Sequence, residues 1–199
     1  MKNRLVVSVV VSLLVITSSL FAQKALNRIG ASGPLDFNKT SFNLAWSDKP
    51  NATYYVQEYV PKGERVENFT QMLTVNVFDK DITIEDAVQQ KAKWLNERKK
   101  TDDVCNFQVT NNPDKTEYMV DFIVSEKKGD DYTIVEFNVY RYKKVDIGNG
   151  KKGILVYVYS QRSYGEEITD FLQNLGETRT GMLNAMIASV LPAITLLDK

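Results

Sequence analysis

The segment 138-NVYRYKKVDIGNGKKGILVYVYSQ-161 turns back on a Gly-Asn-Gly tip between two runs of alternating aromatic, aliphatic and polar residues. Such alternation is the period of two half-buried strands. Asn149-Gly150 suits the centre of a type I′ turn, whose two central residues need positive φ. With Gly148 paired to Lys151, the register sets Tyr142 opposite Tyr157 and Tyr140 opposite Tyr159. All four rings then share one sheet face, because residues two apart point the same way. Val139, Val145, Ile154, Val156 and Val158 take the other face, interrupted by Arg141 and Lys143. A tyrosine has an apolar body and one polar end, so this ring face reads in two ways. It packs beneath a helix, or it lines a groove in which Tyr140, Tyr142, Tyr157 and Tyr159 are ligand-binding residues. Packing is the simpler reading.

Upstream of the hairpin, "TSFNLAW" (40–46), "TYYVQEYV" (53–60) and "QMLTVNVF" (71–78) have strand character, with "SDKPNA" as a turn. "DITIEDAVQQKAKWLNERKK" (81–100) predicts a helix. Thr83 is placed to cap it, Glu85 and Asp86 suit its positive end, and Arg98, Lys99 and Lys100 suit its negative end. "VCNFQVT" (104–110) and "EYMVDFIVS" (117–125) precede the two strands of the hairpin. The closing stretch, 165–192, carries an apolar stripe weakened at Gly176 and Gly181, which predicts a broken helix or two helical pieces ending at Pro192. The resulting order is βββ-α-ββββ-α. Strands gathered in hairpins with segregated helices predict an α+β fold, an antiparallel sheet of about six or seven strands packed with helices. Residues 40–199 form one such domain, preceded by a loosely held N-terminal arm over 23–39.

Residues 1–22 read as a signal peptide: Lys2 and Arg4, an apolar run from Leu5 to Phe21, and small Ala22 before Gln23. The competing reading is an uncleaved anchor, since an apolar run of this length barely spans a bilayer. Taking Lys2 and Arg4 from the 25 basic residues leaves 23 against 25 acidic, a net charge of −2. A chain so balanced lacks the basic footprint of a nucleic-acid binder. The one cysteine, Cys105, cannot form an internal disulfide, and it reads as a small buried hydrophobe. There is no histidine. That removes Ser-His-Asp and Cys-His catalysis and the histidine zinc sites, and no spacing of carboxylates suggests a calcium loop. Neither a cofactor nor a metal is expected, and the chain reads as non-catalytic.

The stretch 54-YYVQEYVPKGERVENFTQMLTV-75 resembles small exported bacterial proteins whose element order is similar to the PsbP-like fold of the extrinsic photosystem II subunit. The likeness covers 40–191 in element order and 54–75 in residue detail. It implies an antiparallel sheet between helices and a binding or assembly role, and it carries no catalytic residue. The ion binding of the plant protein is not implied, since no matching histidine exists. The functional expectation is an exported protein, periplasmic or secreted, that binds a protein partner or small ligand. Two alternatives stand beside it, a carboxylate-based hydrolase and an envelope protein held by an uncleaved N-terminus.

Overall fold

The computed structural model describes residues 25–197, so the expected signal peptide over 1–22 lies outside the described residues. Eight strands, not six or seven, form one antiparallel sheet curled into a half-barrel. They are β1 (Leu35–Phe37), β2 (Thr40–Asn51), β3 (Tyr54–Pro61), β4 (Gln71–Phe78), β5 (Asn106–Asn111), β6 (Glu117–Lys128), β7 (Asp131–Asp146) and β8 (Lys152–Tyr164). Helix α1 (Ile84–Arg98) follows β4, and α2 (Ile168–Ala188) follows β8 after a short 3-10 turn. The spatial order is β1-β2-β3-β4-β8-β7-β6-β5, so the expected βββ-α-ββββ-α order and its PsbP-like architecture are replaced. The added strand, β1, arises within the segment expected to be a loose arm. It is three residues long, too short to show a period. "SDKPNA" is not a turn either: β2 runs on to Asn51. Breaks in register at Leu44/Trp46, Asp48/Asn51 and Glu126/Lys127 add local twist to the curl.

The sheet has two covered faces. On one, Leu73, Val75, Val77, Val139, Leu155, Tyr157 and Tyr159 meet Met182 and Met186 of α2. On the other, Val120, Phe122, Tyr142, Ile154, Val156 and Val158 meet Ile84, Val88 and Leu95 of α1. Val139 therefore lies opposite Tyr159, and Arg141 opposite Tyr157. The expected tyrosine pairs are off by one residue, and the cause is local. Asn149 and Gly150 do form the expected turn, with φ of 53° and 71°, closed by Lys151 N–H donating 3.0 Å to the Gly148 carbonyl. Ile147 N–H, however, donates to the Lys151 carbonyl, so Lys151 faces two residues and Gly148 (φ 96°) is a bulge. A one-residue slip exchanges the faces of every side chain on one strand relative to its partner. Tyr140 and Tyr142 go with α1, and Tyr157 and Tyr159 go with α2.

Helix α1 begins as its sequence predicts. Thr83 Oγ1 accepts 3.0 Å from the Asp86 amide, and Asp86 accepts back from the Thr83 amide, a complete capping box. Helix α2 departs from expectation, being continuous through Gly176 and Gly181. Tertiary anchors override the weak propensity: Ile168, Met182 and Met186 are buried, and Arg179 forks onto both carboxylate oxygens of Asp121 at 2.8 and 2.9 Å. Arg141 also donates to the carbonyls of Met186 (2.8 Å) and Ser189 (3.0 Å), neutralising the negative end of α2. A Cβ at Gly176 or Gly181 meets nothing. Gly176→Ala and Gly181→Ala should each raise unfolding free energy by about 1 kcal/mol, read from urea midpoints at unchanged slope.

The described N-terminal arm and C-terminal tail are bonded to each other and to the sheet. The Thr195 amide donates 3.0 Å to the Ile29 carbonyl, Leu197 donates 2.8 Å to Arg28, and Leu196 donates 3.1 Å to Ile147. The N-terminal arm and the C-terminal tail thus close the α2 face together.

Candidate functional site

Helix α1 lies mainly over β5, β6 and β7 and reaches only the near edge of β8, so the same face of β3 and β4 is the more open half. Register builds that floor row by row. One row runs Val56, Asn76, Val156 and Tyr142, the next Glu58, Thr74, Val158 and Tyr140, and the next Met72, Ser160 and Asn138. Arg162 and Glu136 follow as a pair. These positions have the inward period of their strands yet carry Glu, Thr, Asn, Ser and Arg. They form the floor of a groove between α1 and the 62–70 loop.

The groove has two compartments that share Tyr54, Asn76 and Tyr140. The first, about 430 Å³, lies against α1 and is walled by Phe78, Lys80, Lys91, Trp94 and Tyr142. Tyr54 stacks flat on Phe78, with ring centres 4.7 Å apart and planes 4° from parallel. Lys91 Nζ stands 4.6 Å from the ring centre of Trp94, 4.5 Å from that of Tyr140 and 5.1 Å from that of Phe122. No ion pair reaches Lys91 among the described residues. Burial brings its pKa down to about 8, against the pull of Glu136, while the ring faces favour its cation.

The second compartment, about 310 Å³, continues along the strands past Glu58, Thr74, Asn138 and Ser160 to Arg162 and Glu136. Arg162 pairs with Glu136 at 2.6 Å, and its guanidinium lies 4.0 Å over the Phe69 ring. The loop that carries Phe69 is held by Glu64, which accepts from the Thr70 amide (2.6 Å) and hydroxyl (2.7 Å). Burial pushes the Glu58 carboxyl up, Arg162 opposes this, and Glu136 adds to the rise. Ser160 donates 2.6 Å to Asn138 Oδ1, and Tyr54 donates 2.8 Å to Asn76 Oδ1.

Several polar groups here have no hydrogen-bond partner among the described residues: the Glu58 carboxylate, the Trp94 indole N–H and the hydroxyls of Tyr140 and Tyr142. Some polar groups elsewhere are well paired, although the buried Tyr55 and Tyr157 hydroxyls, outside the groove, also make no hydrogen bond among the described residues. Asp102, Asp121, Gln57 and Arg141 each make two or more bonds. None of these groove atoms is sealed from solvent, the buried side-chain atom without a partner among the described residues being Arg28 Nε outside the groove, so a ligand here would exchange water for its own polar groups.

The four sequence-predicted tyrosines separate. Tyr140 forms the ridge between the two compartments, and Tyr142, only 3% exposed, borders the first. Tyr157 (1% exposed) and Tyr159 (3%) are core on the opposite face, where Tyr159 stacks on Phe37 with centres 4.6 Å apart. Lys91, Trp94, Glu58, Glu136 and Arg162 escaped the sequence reading. The signal for Glu58, Glu136 and Arg162 was a polar side chain at the inward period of β3, β7 and β8, whereas Lys91 and Trp94 sit on or beside the apolar stripe of α1. Among the described residues, no group of three or more Asp, Glu or Cys converges as a metal site.

Lys91 supplies a pH prediction. Its folded pKa is below the unfolded value, so the folded state binds that proton less tightly. The cost is full below pH 8 and disappears as pH rises from about 8 towards 10.5. With solvent and ring faces offsetting part of it, the cost is about 1 kcal/mol. Lys91→Met should therefore equal or exceed wild-type stability at pH 7 and lose that advantage by pH 10, as urea titrations at both pH values will report.

A family model matches residues 29–191, so the chain belongs to that family, which is uncharacterised. The match runs from the pinned arm through the end of α2. No curated protein and no solved structure matches the chain.

Proposed function

We propose that this member of the family is an exported, non-catalytic binding protein whose ligand lies in the groove between α1 and the open half of the sheet. The observation that carries this reading is the convergence of solvent-accessible polar groups and aromatic ring faces on one groove beside α1. Export rests on the basic n-region and apolar run before Gln23, and on the resemblance to small exported bacterial proteins. A mature N-terminus at Gln23 supports export, whereas an intact Met1 in the membrane fraction supports the anchored alternative. Trp46 and Trp94 are the two tryptophans, so Trp46→Phe leaves Trp94 alone to report on the groove. A mixture of mono- and disaccharides, amino acids and aryl carboxylates, read by saturation-transfer NMR, should give hits that also shift Trp94 emission. Hits that leave Trp94 unmoved and survive Trp94→Ala and Glu58→Ala would place binding elsewhere and overturn the reading.

One observation favours the hydrolase alternative. Glu58 and Glu136 line the same compartment, the first pushed towards its protonated form and the second paired with Arg162. Two carboxyls in unlike environments are the arrangement that general acid and base require. Turnover of a groove ligand that is lost in Glu58→Gln with binding retained would establish it. Binding without turnover in wild type would exclude it for that ligand.

A further inference from the structure

The groove is polarised along its length. The compartment beside α1 contains Lys80 and Lys91 and no carboxylate, together with the flat Tyr54–Phe78 pair and Trp94. The compartment beyond Tyr140 contains Glu58, Thr74, Asn138 and Ser160, with Glu136 and Arg162 at its far end. Each compartment is large enough for one sugar ring, and shared residues make them one continuous trough.

Resting on the binding reading above, we propose that the groove recognises an acidic saccharide at least two rings long, with a carboxylate-bearing ring beside Lys91 and a hydroxyl-rich ring beside Glu58. Three ligand classes can be compared on the same residues. An aryl carboxylate satisfies the rings and lysines but offers no donor to the Glu58 carboxylate. A neutral saccharide meets Glu58 and the aromatic surface but gives Lys91 no counter-charge. A cationic ligand is repelled by the lysine that already occupies the ring faces. The acidic saccharide answers all three features. The less polar face of its ring lies on the Tyr54–Phe78 surface or on Trp94, its carboxylate faces Lys91, and hydroxyls of the second ring donate to Glu58. Trp94 projects from α1 with 46% of its surface exposed, so it can close over a ring without disturbing the core.

The test uses the full mature chain carrying Trp46→Phe, with Trp94 emission followed during titration. The probes are digalacturonate, the neutral disaccharide galactobiose and benzoate. The expected result is a Trp94 shift with digalacturonate at a Kd at least tenfold below those of the other two. That preference should contract several-fold in Lys91→Met and should weaken as salt screens the charge. Lys80→Ala provides a second variant on the exposed rim if Lys91→Met does not fold. Equal affinity for galactobiose would overturn the acidic requirement, and equal affinity for benzoate would overturn the saccharide. In both cases groove binding itself would survive. If none of the three perturbs Trp94, this proposal fails, and the fragment mixture separately decides whether the groove binds at all.

Discussion

Replacing Asp102 by Ala is expected to lower unfolding free energy by about 3–4 kcal/mol, with the urea midpoint falling at unchanged slope. Asp102 follows α1, is 5% exposed and serves three parts of the chain at once. Its carboxylate accepts from Arg98 Nε (3.0 Å), the Ser125 amide (2.8 Å), the Ser125 hydroxyl (2.7 Å) and the Val104 amide (3.2 Å). Arg98 in turn donates to the Ser125 carbonyl. Truncation leaves a half-buried guanidinium and a buried amide without their acceptor, and that loss exceeds the value of the bonds themselves. Burial raises the Asp102 carboxyl, but the Ser125 bonds and then Arg98 outweigh it and hold its pKa below the usual range. Because the folded value is depressed, this stabilisation is present above about pH 4 and is lost as pH falls through the folded value. The difference between wild type and Asp102→Ala should accordingly narrow between pH 6 and pH 3. The bonds tie the end of α1 to β6, so the variant should also loosen the helix that carries Lys91 and Trp94.

The second large effect is expected at Gln57, a fully buried polar residue in β3. Its Oε1 accepts from the Arg28 amide (2.5 Å) and the Ile29 amide (3.3 Å), and its Nε2 donates to the Ala31 carbonyl (2.9 Å) and to Tyr59 Oη (2.5 Å). The Tyr59 hydroxyl donates to the same Ala31 carbonyl at 2.5 Å, and burial pushes its pKa up to about 12. Gln57→Leu preserves volume but strands these groups, at a cost of about 2–4 kcal/mol. The loss should be local before it is global. Amides of Arg28 and Ile29 should exchange faster, and trypsin should cut after Arg28 while the sheet remains folded. The tail at Thr195 and Leu197 bonds to this arm and should exchange with it. Uniform loss of protection across the sheet would show that the arm has no separate stability.

Local chemistry made much of this fold legible. The capping box at Thr83, the strands from β2 to β8 and the Asn149-Gly150 turn all follow from nearest neighbours. Features set by distant contacts were not legible. β1 is too short to carry a pattern, and α2 stays whole because Asp121 and Arg141, far away in sequence, hold it at two points. The groove depends on β4 lying beside β8, which brings Asn76 against Val156 across 80 residues. No local rule gives that adjacency, so the sequence alone does not gather these inward polar residues into one lining. The tyrosine register failed over one residue: Gly148 was read as a closing pair when it is the bulge.

That bulge makes the hairpin tip tolerant of a change in length. If Gly148 were removed, Ile147 and Lys151 would close the same two-residue turn, and every pair beyond them would keep its present partner. A deletion within β7 or β8 has no such refuge, since it would carry Tyr142 into the α2 core or Tyr157 out of it. Among relatives, single-residue gaps in this hairpin should therefore gather at the tip, leaving the division of residues between the α1 layer and the α2 layer undisturbed.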